Sequence, residues 1–259
     1  MKHFINIEDI PLKDLKKILI DAKKRKQRRL KLATLEKDKD LPLQGKLLVQ
    51  MFEKSSLRTR LSFYLAIKQL GGGTITLRSN ELHLGEGGES LEDTAKVLSS
   101  YGDGFMLRTD NDKKIDNFKK YLSIPIINGL SPSSHPTQVL SDIFTVEEIK
   151  KKPISKLNIT WIGDSNNVLN SLIAASVKFS FKLNIGCPKA YEPKKSIFDW
   201  AKKRNKNIYI FNDAGKAATN ADVIFSDKVI SLNDKVNKKI KIKKFNKFKI
   251  NKKIMKFAK

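Results

Sequence analysis

Residues 47–60 read LLVQMFEKSSLRTR, and this stretch decides the fold class. Its first part, Leu47 to Phe52, is a largely apolar run with the length of a buried strand. Its second part opens a segment with apolar residues at helical spacing, and Ser56 stands where a helix cap belongs. A strand that leads through a short loop into a helix is typical of a parallel sheet with crossover helices. We therefore predict an α/β protein.

The same alternation extends over the rest of the chain. Before the polar run at 150–153, the predicted strands are 74–77, 104–107 and 124–127, and the predicted helices are 11–22, 56–70, 90–101, a short one near Phe118, and 136–150. After that run, the predicted strands are 158–162, 183–187, 208–211 and 223–225, and the predicted helices are 168–179 and 193–204. The lysine-rich tail after Asn233 is compatible with a final helix or a frayed end. We expect two domains, 1–150 and 151–259, each a mainly parallel sheet with helices on both faces.

The chain is long enough to bury a core, and it is strongly basic. Its 259 residues include 52 Lys and Arg against 27 Asp and Glu, which gives a formal net charge of +25. A charge of this size can attract nucleic acid, and a nucleic-acid-binding protein would show steep salt dependence. Most of the excess is lysine dispersed along predicted helix faces and the tail, a pattern that favours a solvated surface. We expect no nucleic-acid partner.

Targeting and metal signals are missing from the sequence pattern. No apolar run reaches the length of about 18 residues that a membrane helix needs. The first residues lead quickly into Glu8 and Asp9, unlike a signal or transit peptide, so we expect a cytoplasmic protein without a membrane partner. The single cysteine, Cys187, cannot form an intramolecular disulfide, and three histidines form no cluster at metal-ligand spacing. We expect no metal and no cofactor.

The start of the helix after Phe52 has the chemistry of a phosphate site. A helix N-terminus offers unpaired backbone N–H groups and a partial positive charge. Ser56 and Thr59 add hydroxyl groups, and the planar guanidinium of Arg58 can hold two phosphate oxygens at once. The alternative is that Ser56 only caps the helix while Arg58 and Arg60 are surface charges.

Two further positions in the first half follow predicted strands. Arg108 comes directly after an apolar strand, at the carboxyl end where open α/β sheets bind ligands. His135 and Gln138 begin a helix, and their side chains could bind a small planar carbonyl or amide group. The alternatives are an exposed edge charge for Arg108 and an ordinary loop residue for His135.

The second half offers a strand-to-helix loop at 163–168, GDSNNV, and a later acidic residue. The loop lacks the G-x-G-x-x-G spacing, so we do not predict a dinucleotide site. Asn167 could contact a ligand or cap the next helix. Asp227 follows the strand at 223–225, and its carboxylate could bind a substrate ammonium group or cap a turn.

These motifs, in this order, resemble the ornithine carbamoyltransferases of the aspartate/ornithine carbamoyltransferase superfamily. The resemblance spans essentially the whole chain. It rests on FEKSSLRTR at 52–60, LRT at 107–109, HPTQ at 135–138, GDSNNV at 163–168, and Asp227 with Ser231 and Leu232, supported by LGE at 84–86, EDTAKVL at 92–98, CPK at 187–189 and YEP at 191–193. It implies transfer of the carbamoyl group of carbamoyl phosphate to the δ-amine of L-ornithine, within a homotrimer in arginine biosynthesis.

The resemblance also implies roles for individual residues. The phosphate would be held by Ser56, Leu57, Arg58 and Thr59, with Arg108 shared between phosphate and carbonyl oxygen. The carbamoyl end would be held by the segment His135, Pro136, Thr137 and Gln138, and ornithine by Asn167, Asp227, Ser231 and Leu232. His83 would reach the site of a neighbouring subunit. Arg58, Arg108 and His135 would be the catalytic residues, stabilising charge on the carbonyl oxygen and the leaving phosphate.

The sequence departs from the family pattern in three places. The residue at the usual second Thr of the phosphate motif is Leu57, and the Trp, Met and Gly of the ornithine loop stand here as Val229, Leu232 and Asn233. The chain ends about where the family continues into a His-Cys-Leu-Pro loop and a closing helix, so the expected second domain lacks its C-terminal part. Two alternatives follow: a catalytically impaired carbamoyl phosphate-binding homologue, or a transcarbamylase for another amine.

Overall fold

A computed structural model describes residues 2–78, 88–230 and 237–259. The chain divides into two compact units, Met1–Thr137 and Gln138–Lys259. Within the described residues, each unit contains one sheet of four strands, and every strand pair in both sheets is parallel. The predicted fold class, two α/β domains with parallel sheets, is therefore confirmed.

The first unit is built on a sheet with strand order β2-β1-β3-β4. Its elements are α1 (Leu12–Arg28), β1 (Leu47–Phe52), α2 (Arg58–Gln69), β2 (Gly73–Arg78), α3 (Leu91–Tyr101), β3 (Gly104–Arg108), α4 (Asp112–Tyr121) and β4 (Ile126–Leu130). Alternate residues of a strand point to opposite faces, and both faces of β1 are covered. Val49 and Met51 pack in a core with residues of α3 and α4, whereas Leu48 and Phe52 pack with Phe63 of α2.

Helix α5 (Pro136–Lys150) begins at the end of the first unit and continues in the second, whose sheet has the order β7-β6-β5-β8. The other elements of the second unit are β5 (Asn158–Ile162), α6 (Asn167–Phe179), β6 (Lys182–Gly186), α7 (Lys195–Arg204), β7 (Ile208–Phe211), α8 (Ala214–Ala218), β8 (Val223–Phe225), α9 (Lys238–Phe245) and α10 (Lys252–Met255). One core cluster joins Ile162 to Ala214 and to Phe245 and Phe248. Much of the tail is therefore helical and packed.

Two of the differences from the sequence prediction have a clear physical cause. Strand β4 begins at Ile126, two residues later than predicted, because Pro125 cannot donate a ladder hydrogen bond. It continues through Asn128, whose buried Nδ2 donates to the carbonyl oxygen of Ile5 at 3.1 Å. Helix α8 was not predicted, since its five residues are all Ala, Gly or Lys and show no helical periodicity.

The order of strands reverses at one place in each sheet. In the first unit β2 lies on one side of β1, while β3 and β4 extend the sheet on the other side. In the second unit β6 and β7 lie on one side of β5, and β8 lies on the other. Open α/β sheets bind ligands at the carboxyl ends of the strands that flank such a reversal. The loops after β1 and β3, and those after β5 and β8, are therefore the expected ligand sites.

Candidate functional site

Two arginines lie near each other at the strand reversal of the first sheet. Arg108 is the last residue of β3, and Arg58 is the first residue of α2, the helix that follows β1. The Nη1 of Arg108 donates to Oγ1 of Thr59 at 3.0 Å. Burial of its guanidinium, and then the positive charge of Arg58, lower the pKa of Arg108. Like charges held together in this way favour the binding of an anion between them.

One donor of Arg108 is not used within the described part of the chain. Its Nε is buried and has no hydrogen-bond partner among residues 2–78, 88–230 and 237–259. A buried donor without a partner costs free energy, and native proteins retain few of them outside functional positions. The orientation of Arg108 is therefore well suited to a ligand that accepts hydrogen bonds.

The start of α2 adds backbone donors beside the arginines. The N-cap residue of α2 is Leu57, which is 68% exposed and makes no side-chain cap hydrogen bond. The prediction that Ser56 caps this helix is wrong, because the helix begins one residue later than that role requires. The first N–H groups of α2 thus receive no side-chain acceptor from the cap, an arrangement that suits phosphate oxygens.

A buried glutamate of the 52–60 motif, to which the sequence analysis assigned no role, joins the two loops. Glu53 follows β1 directly, and its side chain is 6% exposed. Its Oε2 accepts a hydrogen bond from Oγ1 of Thr109 at 2.5 Å, and its Oε1 is paired with Nζ of Lys114. Its backbone N–H donates to the carbonyl oxygen of Arg108 at 3.0 Å. Glu53 therefore fixes the end of β1 against the end of β3, directly beside Arg108.

His135 lies near the end of the first unit, where β4 leads into α5. Its side chain is buried, with 9% of the residue exposed, and its Nδ1 lies 3.4 Å from Oγ1 of Thr137. Pro136 is the first residue of α5. The short turn around Pro136 thus holds the imidazole in place, and a placed imidazole can donate to or accept from a small polar ligand.

Gln138 is the first residue of the second unit, and it pairs with a carboxylate one helical turn later. Its Nε2 donates to Oδ1 of Asp142 at 2.8 Å. Burial raises the pKa of Asp142, the hydrogen bond from Gln138 opposes that rise, and the negative charge of Asp227 adds to it. Asp142, which no sequence motif indicated, therefore orients the Gln138 amide and lies within the field of Asp227.

The loops after β5 and β8 meet at the strand reversal of the second sheet. Gly163 follows β5 with a φ of +155°, a conformation that L side chains rarely adopt. Asn166 caps α6, since its Oδ1 accepts from the backbone N–H of Val168 at 3.0 Å and of Leu169 at 3.1 Å. Its Nδ2 donates to Oδ2 of the exposed Asp227 at 2.8 Å. This arrangement presents a carboxylate to solvent beside the start of α6.

The other predicted residues of the second unit are distributed differently. Asn167 is the first residue of α6, so the alternative that it caps this helix is wrong and Asn166 takes that role. The predicted contacts Ser231 and Leu232 lie outside the described residues, as does His83 of the first unit.

The described residues show neither a membrane-spanning helix nor a cluster of metal-binding side chains. Within them no helix is both long and apolar enough to cross a membrane. They also contain no group of three or more His, Cys, Asp or Glu side chains that could hold a metal ion.

Two family models match the chain, one on each side of residues 149–154. The model described as the carbamoyl-P binding domain of aspartate/ornithine carbamoyltransferase matches residues 2–148. The model described as the Asp/Orn binding domain of the same family matches residues 155–259. The chain belongs to the aspartate/ornithine carbamoyltransferase family. The residues that match the carbamoyl-P binding domain include Arg58 and Arg108. The residues that match the Asp/Orn binding domain include Asn167 and Asp227.

Individual relatives of this carbamoyltransferase family agree with the models. The ornithine carbamoyltransferase of Brucella ovis is 43% identical over 232 residues, which are 90% of this chain and 72% of the relative. That of Agrobacterium fabrum is 38% identical over 90% of this chain and 74% of its own length. Among solved structures, ornithine carbamoyltransferase from Pyrococcus furiosus matches all of this chain and 82% of its own, with a TM-score of 0.90 and 34% identity. Anabolic ornithine carbamoyltransferase from Campylobacter jejuni matches all of this chain and 83% of its own, with a TM-score of 0.88 and 34% identity.

Proposed function

We propose that this transferase moves the carbamoyl group of carbamoyl phosphate to the δ-amine of L-ornithine, which gives citrulline and phosphate, as a step of arginine biosynthesis in the cytoplasm. The observation that carries the proposal is the anion site of Arg58 and Arg108 at one strand reversal. The ornithine carbamoyltransferases among its relatives favour ornithine over another amine as the acceptor.

The first unit would bind carbamoyl phosphate, within a domain of residues 1–150. The backbone at the start of α2, with Ser56, Leu57 and Thr59, would hold the phosphate together with the two arginines. The buried Nε of Arg108 would donate to a phosphate or carbonyl oxygen. The segment from His135 to Gln138, including Pro136 and Thr137, would hold the carbamoyl end.

The second unit would bind ornithine, within a domain of residues 151–259. Asp227 would pair with the α-ammonium group, since its carboxylate is exposed while Asn166 holds one of its oxygens. Asn167, at the start of α6, would form a hydrogen bond with the α-amino-acid end of ornithine. Ser231 and Leu232 are proposed as further ornithine contacts, and His83 as a contact to a neighbouring subunit's site.

The reaction needs charge stabilisation more than covalent catalysis. The neutral δ-amine attacks the carbamoyl carbon, a C–N bond forms, the C–O bond to phosphate breaks, and the amine proton passes to solvent. Negative charge develops on the carbonyl oxygen and then on the departing phosphate. Arg58, Arg108 and His135 would stabilise that charge, because fixed donors act at no cost of reorganisation when the charge appears.

We also propose that the protein is a homotrimer in which a second copy covers α2. None of the 12 residues of α2 is buried, although Leu61 and Tyr64 on this helix are large and apolar. Neighbouring Leu57 is 68% exposed and Ile75 of β2 is 49% exposed. Exposed apolar side chains in one region are typical of association surfaces. Sedimentation equilibrium should give three times the chain mass of 29.4 kDa, and Leu61→Lys should lower it; a monomer at micromolar concentration would contradict the proposal.

The decisive experiment is a citrulline assay on the 259-residue chain with carbamoyl phosphate and ornithine. Arg108→Met should lower kcat/KM by about 100- to 1000-fold, the usual loss when one oxyanion donor is removed. Lys113→Met, which removes a surface charge from α4, serves as the control. Carbamoyl phosphate binding without citrulline would instead support the impaired homologue, and turnover only with another amine would support a different acceptor.

A further inference from the structure

A buried lysine connects the tail of the chain to the loop after β5. Lys241 lies on α9, and only 2% of its side chain is exposed. Its Nζ donates to Oδ2 of Asp164 at 2.5 Å, and it lies 5.5 Å from the ring centroid of Tyr191. Lysine is seldom buried without a partner that offsets the loss of water. The ion pair therefore gives α9 a fixed attachment to the loop at 163–167.

The loop that Lys241 reaches is held at several points. The carbonyl oxygen of Asp164 accepts a hydrogen bond from Nε1 of Trp161 at 3.1 Å. The hydroxyl of Ser165 donates to the carbonyl oxygen of Tyr191 at 2.6 Å. The ring of Tyr191 also packs edge-on against Phe245 of α9, with 4.9 Å between the ring centroids. Charge and packing thus join the same helix to the same loop.

The position of this loop in turn affects the position of the Asp227 carboxylate, because the two are joined by a hydrogen bond. Asn166, two residues after Asp164, uses its side-chain oxygen to cap α6 and its side-chain N–H group to hold Asp227. A shift of the loop would therefore move one donor that orients Asp227, at Oδ2. The other oxygen, Oδ1, accepts from the backbone N–H of Lys228 at 2.7 Å, which holds the carboxylate from its own loop.

We propose that Lys241 is a positioning residue for ornithine: its ion pair with Asp164 fixes the loop at 163–167, and the loop fixes Asp227 for the substrate ammonium. This inference rests on the proposed function. It assigns a role to the lysine-rich tail, whose charge the sequence alone explains only as a solvated surface. Removal of the lysine charge leaves Asp164 partly buried without its cation, and the loop is expected to rearrange toward water.

The test compares two lysines on one helix. Lys241→Met removes the charge and keeps the length of the side chain. Lys244→Met is the matched control, because Lys244 is exposed yet lies 5.9 Å from the centroid of the same Tyr191 ring. We expect Lys241→Met to raise the KM for ornithine by about tenfold to 100-fold, as small misplacements of binding groups do, with an unchanged KM for carbamoyl phosphate. Lys241→Arg should restore most of the affinity, and Lys244→Met should match the parent protein.

An equal rise in both KM values, or an unchanged KM for ornithine in folded Lys241→Met, would overturn the inference. If this variant does not fold, the double variant Lys241→Met with Asp164→Asn removes both charges of the pair. The double variant should show the same selective loss of ornithine affinity, and normal affinity would again overturn the inference.

A second measurement does not depend on turnover. The backbone amides of Val168 and Leu169 are protected by the Asn166 cap, so their hydrogen exchange reports the position of the loop. We expect faster exchange at both amides in Lys241→Met and unchanged exchange in Lys244→Met. Equal exchange in the two variants would refute the positioning role even in an active enzyme, whereas absence of citrulline with the expected exchange pattern would refute only the proposed function.

Discussion

Gln50 is poorly matched to its surroundings. It is fully buried in β1, on the face that Leu48 and Phe52 present to α2, and neither polar atom of its amide has a partner within the described residues. Gln50→Met should raise the free energy of unfolding by about 1–3 kcal/mol, because it removes two unsatisfied polar atoms at similar volume. Thermal unfolding provides the measurement, and the exposed Gln44→Met is the control. A lower melting temperature for Gln50→Met would show that the amide has a partner in the folded protein.

Cys187 is expected to be chemically inert in the folded protein. Burial of the thiol, and next the negative charge of Glu192, raise the pKa of Cys187 to about 12. Since the thiolate is the reactive form, a disulfide reagent at about pH 8 should modify almost none of it in the native chain and one thiol per chain after unfolding. Rapid modification of native protein would contradict the burial of this side chain.

The residues that the sequence singles out most clearly combine charge with an unusual place in the pattern. Arg58 and Arg108 could be singled out because one begins a helix after a strand and the other ends a strand, the places where open α/β sheets bind ligands. Glu53 stood in an equally informative place, directly after β1, yet its partners Thr109 and Lys114 are more than fifty residues away in the sequence. A pairing across that distance becomes visible only when β1 and β3 are adjacent.

At the scale of elements, the two loops at the first strand reversal are expected to act as one unit. Glu53→Gln weakens the attachment of the β1 loop to Thr109 and Lys114. The KM for carbamoyl phosphate should rise by about tenfold to 100-fold, since loss of one charge-assisted contact is worth about 1.5–3 kcal/mol. Steady-state kinetics with each substrate varied in turn gives the measurement.

The control for the Glu53 experiment is Glu92→Gln, which breaks a surface ion pair with Lys96 at 2.6 Å. Exposed pairs of this kind contribute little, so its kinetics should match those of the parent protein. Equal effects from both substitutions would mean that the contacts of Glu53 with Thr109 and Lys114 have no special part in phosphate binding.

The elements that could not be predicted share a physical cause. Strand β4 contains Asn128, a residue that patterns assign to turns, but here a hydrogen bond to Ile5 satisfies its amide. Helix α8 is held by packing, with Ala214 and Ala218 against Ile162, and not by amphipathic periodicity. In both cases tertiary contacts override local preference, and those contacts are not encoded within the segment itself.

For the whole molecule, the net charge of +25 is expected to act on binding rates. A strongly positive surface attracts anions over distances that salt screens, with a Debye length of about 10 Å at 0.1 M. We expect kcat/KM for carbamoyl phosphate to fall several-fold between about 20 and 200 mM potassium chloride, while kcat/KM for the cationic ornithine falls less or rises. Equal responses of the two substrates would show that the net charge has no steering effect.

The Nε of Arg108 has no hydrogen-bond partner among residues 2–78, 88–230 and 237–259, and the positive charge of Arg58 lies nearby. Both features cost the first unit free energy, and a bound anion relieves that cost. Inorganic phosphate should therefore act as a chemical chaperone for the first unit. At a phosphate concentration 100 times the dissociation constant, the free energy of unfolding of this unit should rise by about 2.7 kcal/mol. Limited proteolysis would reveal it: cleavage within the first unit should slow in phosphate buffer while cleavage within the second proceeds unchanged, and protection of both units alike would contradict a site confined to the first.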